Sequence, residues 1–435
     1  MLKCAVGNRM RRAALCAILL GVTSFPAQFS AQSQTVAAPD WMKSAKIGTA
    51  LAKLGADAPA ITEEQIRITA IPAPPFQESA RGAYLSRLLS ETGLSVKTDD
   101  VGNVIGRRPG RRGDSLVMLA AHLDTVFPAG TDLRVRREGG RIYAPGISDN
   151  GTGLAALVAV ARIMHEINLQ TDSTILFVAD VGEEGEGNLR GMRKLVETYG
   201  SQLRYVIALD GSTTDYVSNS ALASRRVEIT LSGAGGHSWS DFGAPNPIHA
   251  LARGVARFVK TPVPDDPRTS FNVGSIEGGT SVNSIPARAA MKVDLRSESE
   301  QELAKLESAL RRDIQAGLDE EMAAARRRGF YNSPALQLEL NVLGIRPGGE
   351  LPDNSPLLAA VLAADQFLGN RSRMERSSTD ANIPLAAGMH AIAMGAGGQS
   401  ANAHSPSEWY DPAGRELGLR RVLLTLLGVA GLQAE

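Results

Sequence analysis

Residues 115–125 read SLVMLAAHLDT. The stretch 115–121 is an almost unbroken apolar run, too short for a helix and free of glycine and proline, which is the pattern of a strand buried on both faces. It ends on His122 and Asp124, and strand tips are where open α/β sheets present polar side chains to ligands. The same pattern recurs at 173–179 (STILFVA), followed by Glu183 and Glu184, and at 205–209 (YVIAL), followed by Asp210. Between the first two runs lies 153–167, rich in Ala, Val and Leu and apolar nearly all round, which predicts a buried helix. Strands and helices in this alternation predict an α/β fold with a mixed, largely parallel sheet.

The pattern changes after residue 223. A half-buried strand is expected at 226–232, a helix at 247–259, and two strands near 270–276 and 289–296. A long amphipathic helix then starts at Glu300, with Leu303, Leu306, Leu310, Ile314 and Leu318 at helical spacing. A last strand at 335–343 completes a β-α-β-β-α-β order, that of a ferredoxin-like α+β module. The expected organisation is a first α/β part at 40–223, the inserted module at 224–343, and a second α/β part at 344–435 with helices at 355–368 and 415–432.

Forty-six basic and forty-six acidic residues leave no net charge, so nothing in the balance favours nucleic acid or an acidic membrane. Aromatic residues at 5% offer no stacking platform for bases. The first 31 residues differ from the rest. Lys3, Arg9, Arg11 and Arg12 precede an apolar run at 13–22 and a small-residue region, the order of a secretory signal peptide. Ten apolar residues are too few to cross a bilayer, which needs about twenty. Both cysteines, Cys4 and Cys16, lie in that segment, so the expected mature chain is periplasmic or secreted and has no thiol chemistry.

Candidate chemistry collects at the expected strand ends. His122 and Asp124 share a face of extended chain, so the carboxylate can support an imidazole that binds metal. Asp149 precedes the buried helix among glycines, where a helix cap is the plainer role. Glu183 and Glu184 are adjacent acids at a buried strand tip, costly there unless a cation is present. Asp210 ends the next run, and His404 lies in a later Pro-containing loop. Two imidazoles with three carboxylates suit a pair of divalent ions, zinc most naturally. Serine hydrolase and nucleotide-binding readings lack support, because the segment at 146–150 (GISDN) does not complete G-x-S-x-G and no P-loop is present.

Taken together, HLDT (122–125), SDNGTG (148–153), GEEGEG (182–187), LDG (209–211), GGHSW (235–239), SVNSIPA (281–287), VDLRS (293–297), STDAN (378–382) and AHSPSE (403–408) resemble the M20 metallopeptidase family, in family order. The flavour is that of the peptidase T-like (tripeptide aminopeptidase) group. The resemblance implies a zinc-exopeptidase-like catalytic domain and makes the inserted module a lid and dimerisation domain, hence a homodimer. It assigns His122 and Asp210 to one zinc, Glu184 and His404 to the other, and Asp149 to both, with cobalt or manganese as alternative metals. Asp124 then supports His122, and Glu183 is the general base. His237 matches a lid histidine that stabilises the oxyanion, often from the neighbouring subunit. Asn283 and Arg296 match positions that bind a substrate carboxylate, with Gly397 in a glycine-rich turn that can offer backbone N–H groups. Ser378 and Asp380 are read as supporting residues. Asp rather than Glu at 210 favours aminopeptidase cleavage of di- and tripeptides. The alternative is an N-acyl-amino-acid amidohydrolase or carboxypeptidase that grips a carboxylate through Arg296. A non-catalytic binding protein is disfavoured, since the base and all five ligands are present.

Overall fold

A computed structural model of the protein describes residues 37–432. The expected signal peptide and both cysteines lie outside the described residues. The described residues form one compact unit. Among the described residues, no helix is long and apolar enough to cross a membrane.

Its centre is a nine-stranded mixed sheet. The four middle strands run in the order Ser173–Asp180, Arg112–His122, Leu203–Leu209, His390–Met394, all parallel. Antiparallel strands border them: Val104–Arg108 and Ser95–Thr98 on one side, Tyr216–Ala221 on the other. The middle strands read as continuous apolar runs because helices cover both faces. Ser173–Asp180 is buried at every residue, and so is nearly all of the helix Gly151–Glu166. The helices Ala45–Thr69, Pro356–Leu368 and Arg415–Ala430 complete this layer, and their apolar residues join the strands in the larger core.

A second, four-stranded antiparallel sheet has the order Thr269–Gly278, Arg288–Ser297, Ala223–Ser232, Gln337–Arg346. Two helices, Pro247–Phe258 and Glu300–Arg327, pack on it around a separate apolar cluster that includes Leu251, Phe258, Leu306, Leu310 and Ile314. Taken in chain order, these elements give β-α-β-β-α-β, with two short strands added, Gly236–His237 after the first main strand and Ser284–Ile285 between the second and third. Each helix begins where its sequence supplies a cap: Asn246 accepts from Ile248 N at 2.9 Å, and Ser299 accepts from Glu302 N at 3.4 Å.

Candidate metal centre

The parallel strands end side by side, and that is what gathers the acids. His122 is the last residue of its strand and lies in register with Asp180 of the neighbour. Asp210 follows directly on Leu203–Leu209. Asp149 is not at a strand end; it sits in the turn that enters the helix Gly151–Glu166. Asn150, not Asp149, caps that helix, accepting from Gly153 N at 3.2 Å while its amide donates to Leu209 O at 2.8 Å. The Asp149 carboxylate is thereby released from capping and faces the histidines.

His122 Nε2 lies 3.1 Å from Asp149 Oδ1, and His404 Nε2 lies 3.0 Å from Asp149 Oδ2 and 2.8 Å from Glu184 Oε1. Donor atoms of His122, Asp149 and Asp210 lie within 4.8 Å of one another, as do those of Asp149, Glu184 and His404. Asp149 belongs to both sets, one oxygen towards each histidine. Two nitrogens and three carboxylates arranged as overlapping triads fit a pair of divalent cations.

The electrostatics of the protein alone express the same demand for positive charge. Burial alone would lower the His122 pKa, but Asp149 beside it, with the fields of Glu183 and Asp124, pushes it well above the ordinary value. Hydrogen bonds to Asp149 and then Glu184 raise His404 to about 11. Burial lifts Glu184 to about 7 against the opposing bond from His404. Burial and the Asp149 charge drive Asp210 well above the carboxylate range. Protons on these groups balance a cluster whose acids outnumber its histidines.

Supporting residues differ from expectation in instructive ways. His122 Nδ1 meets the main-chain oxygen of Asp124 at 3.0 Å, whereas the carboxylate is 3.8 Å away. That buried carboxylate instead accepts from Glu183 N at 3.0 Å and Glu184 N at 2.8 Å, so Asp124 shapes the acid loop as well as the imidazole. Glu183 is buried beside Glu184, and Arg346 Nη1 donates to its Oε1 at 2.7 Å. The same guanidinium reaches the Glu183 carbonyl, and it meets Ser378 Oγ at 3.0 Å. Asp380 is buried against Asp180. Glu408 accepts from Gly146 N at 2.7 Å, Ser148 N at 2.8 Å and Asp149 N at 3.1 Å, holding the whole turn that carries Asp149. Arg346, Glu408, Asn150 and Asp180 were not singled out in the sequence. Glu408 and Asn150 carried a signal, as members of AHSPSE and SDNGTG.

The remaining candidates make no hydrogen bond to the cluster residues. His237 is exposed on the short strand Gly236–His237, paired with Ser284–Ile285, and its Nδ1 accepts from Trp239 N at 3.2 Å. Asn283 lies beside it, its carbonyl accepting from Ser238 N at 3.0 Å. Arg296 sits near the far end of the strand Arg288–Ser297, eight residues or about 26 Å along from its start. Arg296 bonds Asp294 at 2.6 Å. Asp294 also lies 3.6 Å from Arg226, which donates to the Gly185 carbonyl. The N–H of Gly397 donates to Thr213 O at 3.0 Å. Its place is a packing one, at φ +94° with Arg415 O 2.6 Å from where a Cβ would stand.

Comparison with known proteins agrees with this geometry. The model of Peptidase family M20/M25/M40 matches residues 118–427. A Bacillus subtilis (strain 168) protein called uncharacterized protein YqjE is 24% identical, over 78% of this chain and 90% of its own. Carboxypeptidase G2 of Pseudomonas sp. (strain RS-16) is 26% identical, over 50% of this chain and 54% of its own. Among solved structures, aminopeptidase PepT from Bacillus cereus superposes with a TM-score of 0.66 at 21% identity, covering 86% of this chain and 99% of that one. The Bacillus subtilis YXEP protein, described as a dinuclear metal-binding peptidase of the M20 family, gives 0.62 at 15% identity, covering 87% and 100%.

Proposed function

The chain belongs to peptidase family M20/M25/M40, a family of metal-dependent hydrolases, and from that premise we propose that it is a di-metal exopeptidase that removes N-terminal residues from short peptides. The observation that carries this reading is the pair of overlapping triads sharing Asp149, with the Glu183 carboxylate next to them. His122, Asp149 and Asp210 would hold one ion, and Asp149, Glu184 and His404 the other. Nitrogen and carboxylate donors suit zinc, with cobalt or manganese as alternatives. When bound, such ions supply Lewis acidity that makes water acidic near neutral pH and polarises a carbonyl.

Glu183 takes the proton from the attacking water and returns it to the leaving amine. Arg346 engages Oε1 of Glu183 at 2.7 Å and so fixes the direction in which the other oxygen points. Asp124 fixes the backbone of the same residue from behind. His237 supplies the hydrogen bond to the developing oxyanion. It bonds no cluster residue of its own chain, and in this reading it does so from a partner subunit. Support for pairing comes from the second sheet: its edge strand Thr269–Gly278 has one neighbour, and Trp239, Val282 and Ile276 are exposed around it. Export to the periplasm or medium completes the reading and rests on the N-terminal segment.

Short peptides separate the aminopeptidase reading from cleavage anchored on a C-terminal carboxylate. Amine release is followed from matched di- and tripeptides that are free, N-acetylated or C-amidated. The proposal expects N-acetylation to abolish cleavage and C-amidation to be tolerated. Cleavage that survives N-acetylation and needs the free carboxylate would replace it with the amidohydrolase or carboxypeptidase reading.

A further inference from the structure

His237 is exposed, yet its ring is held. Nδ1 accepts from two main-chain N–H groups of its own loop, Trp239 N at 3.2 Å and Ser240 N at 3.3 Å. A ring nitrogen that faces two donors has no room for a hydrogen of its own, because donor would then meet donor. In the neutral ring the proton therefore belongs on Nε2, at the far side. Which nitrogen carries it decides what this histidine can do. A bare Nε2 only accepts, whereas Nε2–H donates to a developing oxyanion.

One turn builds this arrangement. Asp241 N donates to His237 O at 3.0 Å, which closes a single helical turn, and the first amides of such a turn point back at whatever caps them. The imidazole takes the place that serine or aspartate fills in an ordinary N-cap. Asp241 completes the exchange in the other direction: its Oδ2 accepts from His237 N at 2.7 Å. Side chain meets main chain both ways, in the manner of a capping box. The close approach of Asp241 needs space. A Cβ on Gly236 would stand 2.9 Å from Asp241 Oδ2, so the residue before the histidine leaves the carboxylate its place. Pairing of Gly236 with Ile285 and of His237 with Ser284 fixes the base of the turn, and Asp241 fixes its end.

We propose that Asp241 is a positioning residue: it holds the 237–241 turn that keeps His237 in the Nε2–H form, aimed to donate to a substrate oxygen. The consequence for turnover rests on the oxyanion role proposed for His237; the tautomer itself does not.

Nuclear magnetic resonance of the full, metal-loaded protein with isotope-labelled histidine reads the tautomer, the His237 signals being those that vanish in His237→Gln. In alkaline solution the expected spectrum shows a proton on Nε2 and none on Nδ1. Asp241→Ala should bring the two tautomers into exchange, and Asp241→Asn, which keeps an acceptor oxygen, should restore the wild-type pattern. With short peptides, Asp241→Ala should lower kcat about tenfold, part of the roughly 10²–10³-fold that one oxyanion donor supplies, with KM nearly unchanged. That loss should disappear in a His237→Ala background. Should Asp241→Ala fail to fold, Gly236→Ala displaces the carboxylate and decides. A wild-type proton on Nδ1, or a single tautomer retained in Asp241→Ala, overturns the proposal, as does a kcat loss that persists without His237. If His237→Ala itself leaves turnover unchanged, the peptidase role of this histidine fails, and the spectrum alone decides for or against Asp241.

Discussion

Glu183 has two tasks to satisfy with one carboxylate, and substitution can separate them. Glu183→Gln keeps the shape and a hydrogen-bond acceptor for Arg346 but removes the base. Turnover should fall by about 10²–10⁴-fold or more with metal content unchanged. Near wild-type turnover in a metal-replete variant would remove Glu183 from the reaction. Arg346→Met strands the buried acid instead. It should destabilise the fold by about 3–5 kcal/mol, read from denaturant unfolding, and the loss should shrink in the Glu183→Gln background. An equal loss in both backgrounds would mean the two side chains do not depend on each other. Glu183, Glu184 and Asp210 were legible in the sequence because each follows a short apolar run, where a charge is conspicuous, and Asp149 because it stands among glycines before a buried helix. Arg346 was not. Its partner lies 163 residues away, and an arginine at the end of a half-exposed strand looks like any surface cation.

At the scale of elements, the turn from Gly146 to Asn150 is the least self-sufficient part of the centre. Three of its N–H groups or flanking amides converge on Glu408, so Asp149 is held in place from outside its own segment. Glu408→Gln keeps the volume but replaces an acceptor oxygen with a donor facing other donors. Metal affinity should drop about 10–100-fold, measured by competition with a chelator, while the helical signal stays near wild type. Unchanged affinity would reduce Glu408 to a packing residue. The buried strands and the helices of the second layer fell close to their expected bounds, since each combines a clear period with a cap or an apolar run. The helix Ala45–Thr69 was less apparent, because Pro59 stands inside it and proline ordinarily ends such a pattern. The pairs at Ser95–Arg108 and Arg136–Tyr143 are short and partly exposed, so no alternation marked them.

For the whole molecule, metal uptake should be coupled to protons. His404 is raised to about 11, so at neutral pH it carries a proton that a ligating nitrogen must lose. Binding should release protons, and affinity should rise with pH. Calorimetry in buffers of different ionisation enthalpy reads this directly, and an enthalpy indifferent to buffer would contradict it. That His237 bonds no cluster residue of its own chain gives a second expectation. His237→Ala should lower turnover with little loss of metal. Mixed with Glu183→Gln under conditions that exchange subunits, it should recover about a quarter of wild-type activity, since half the dimers are mixed and each holds one intact site. No recovery would place His237 outside the partner's site. The family resemblance and the order of elements were readable in the sequence, but which residues one chain brings together was not, because that depends on how strands about 26 Å long are laid.

Glu408 and His404 also set a schedule. Asp149 is made 259 residues before the carboxylate that holds its turn and 255 before the histidine that faces it. At roughly 5–20 residues per second, a growing chain spends about 13–50 s with its acids exposed and their last partners unwritten. A copy still on the ribosome, or one cut short before residue 404, therefore lacks one histidine of the cluster and the carboxylate that holds the Asp149 turn.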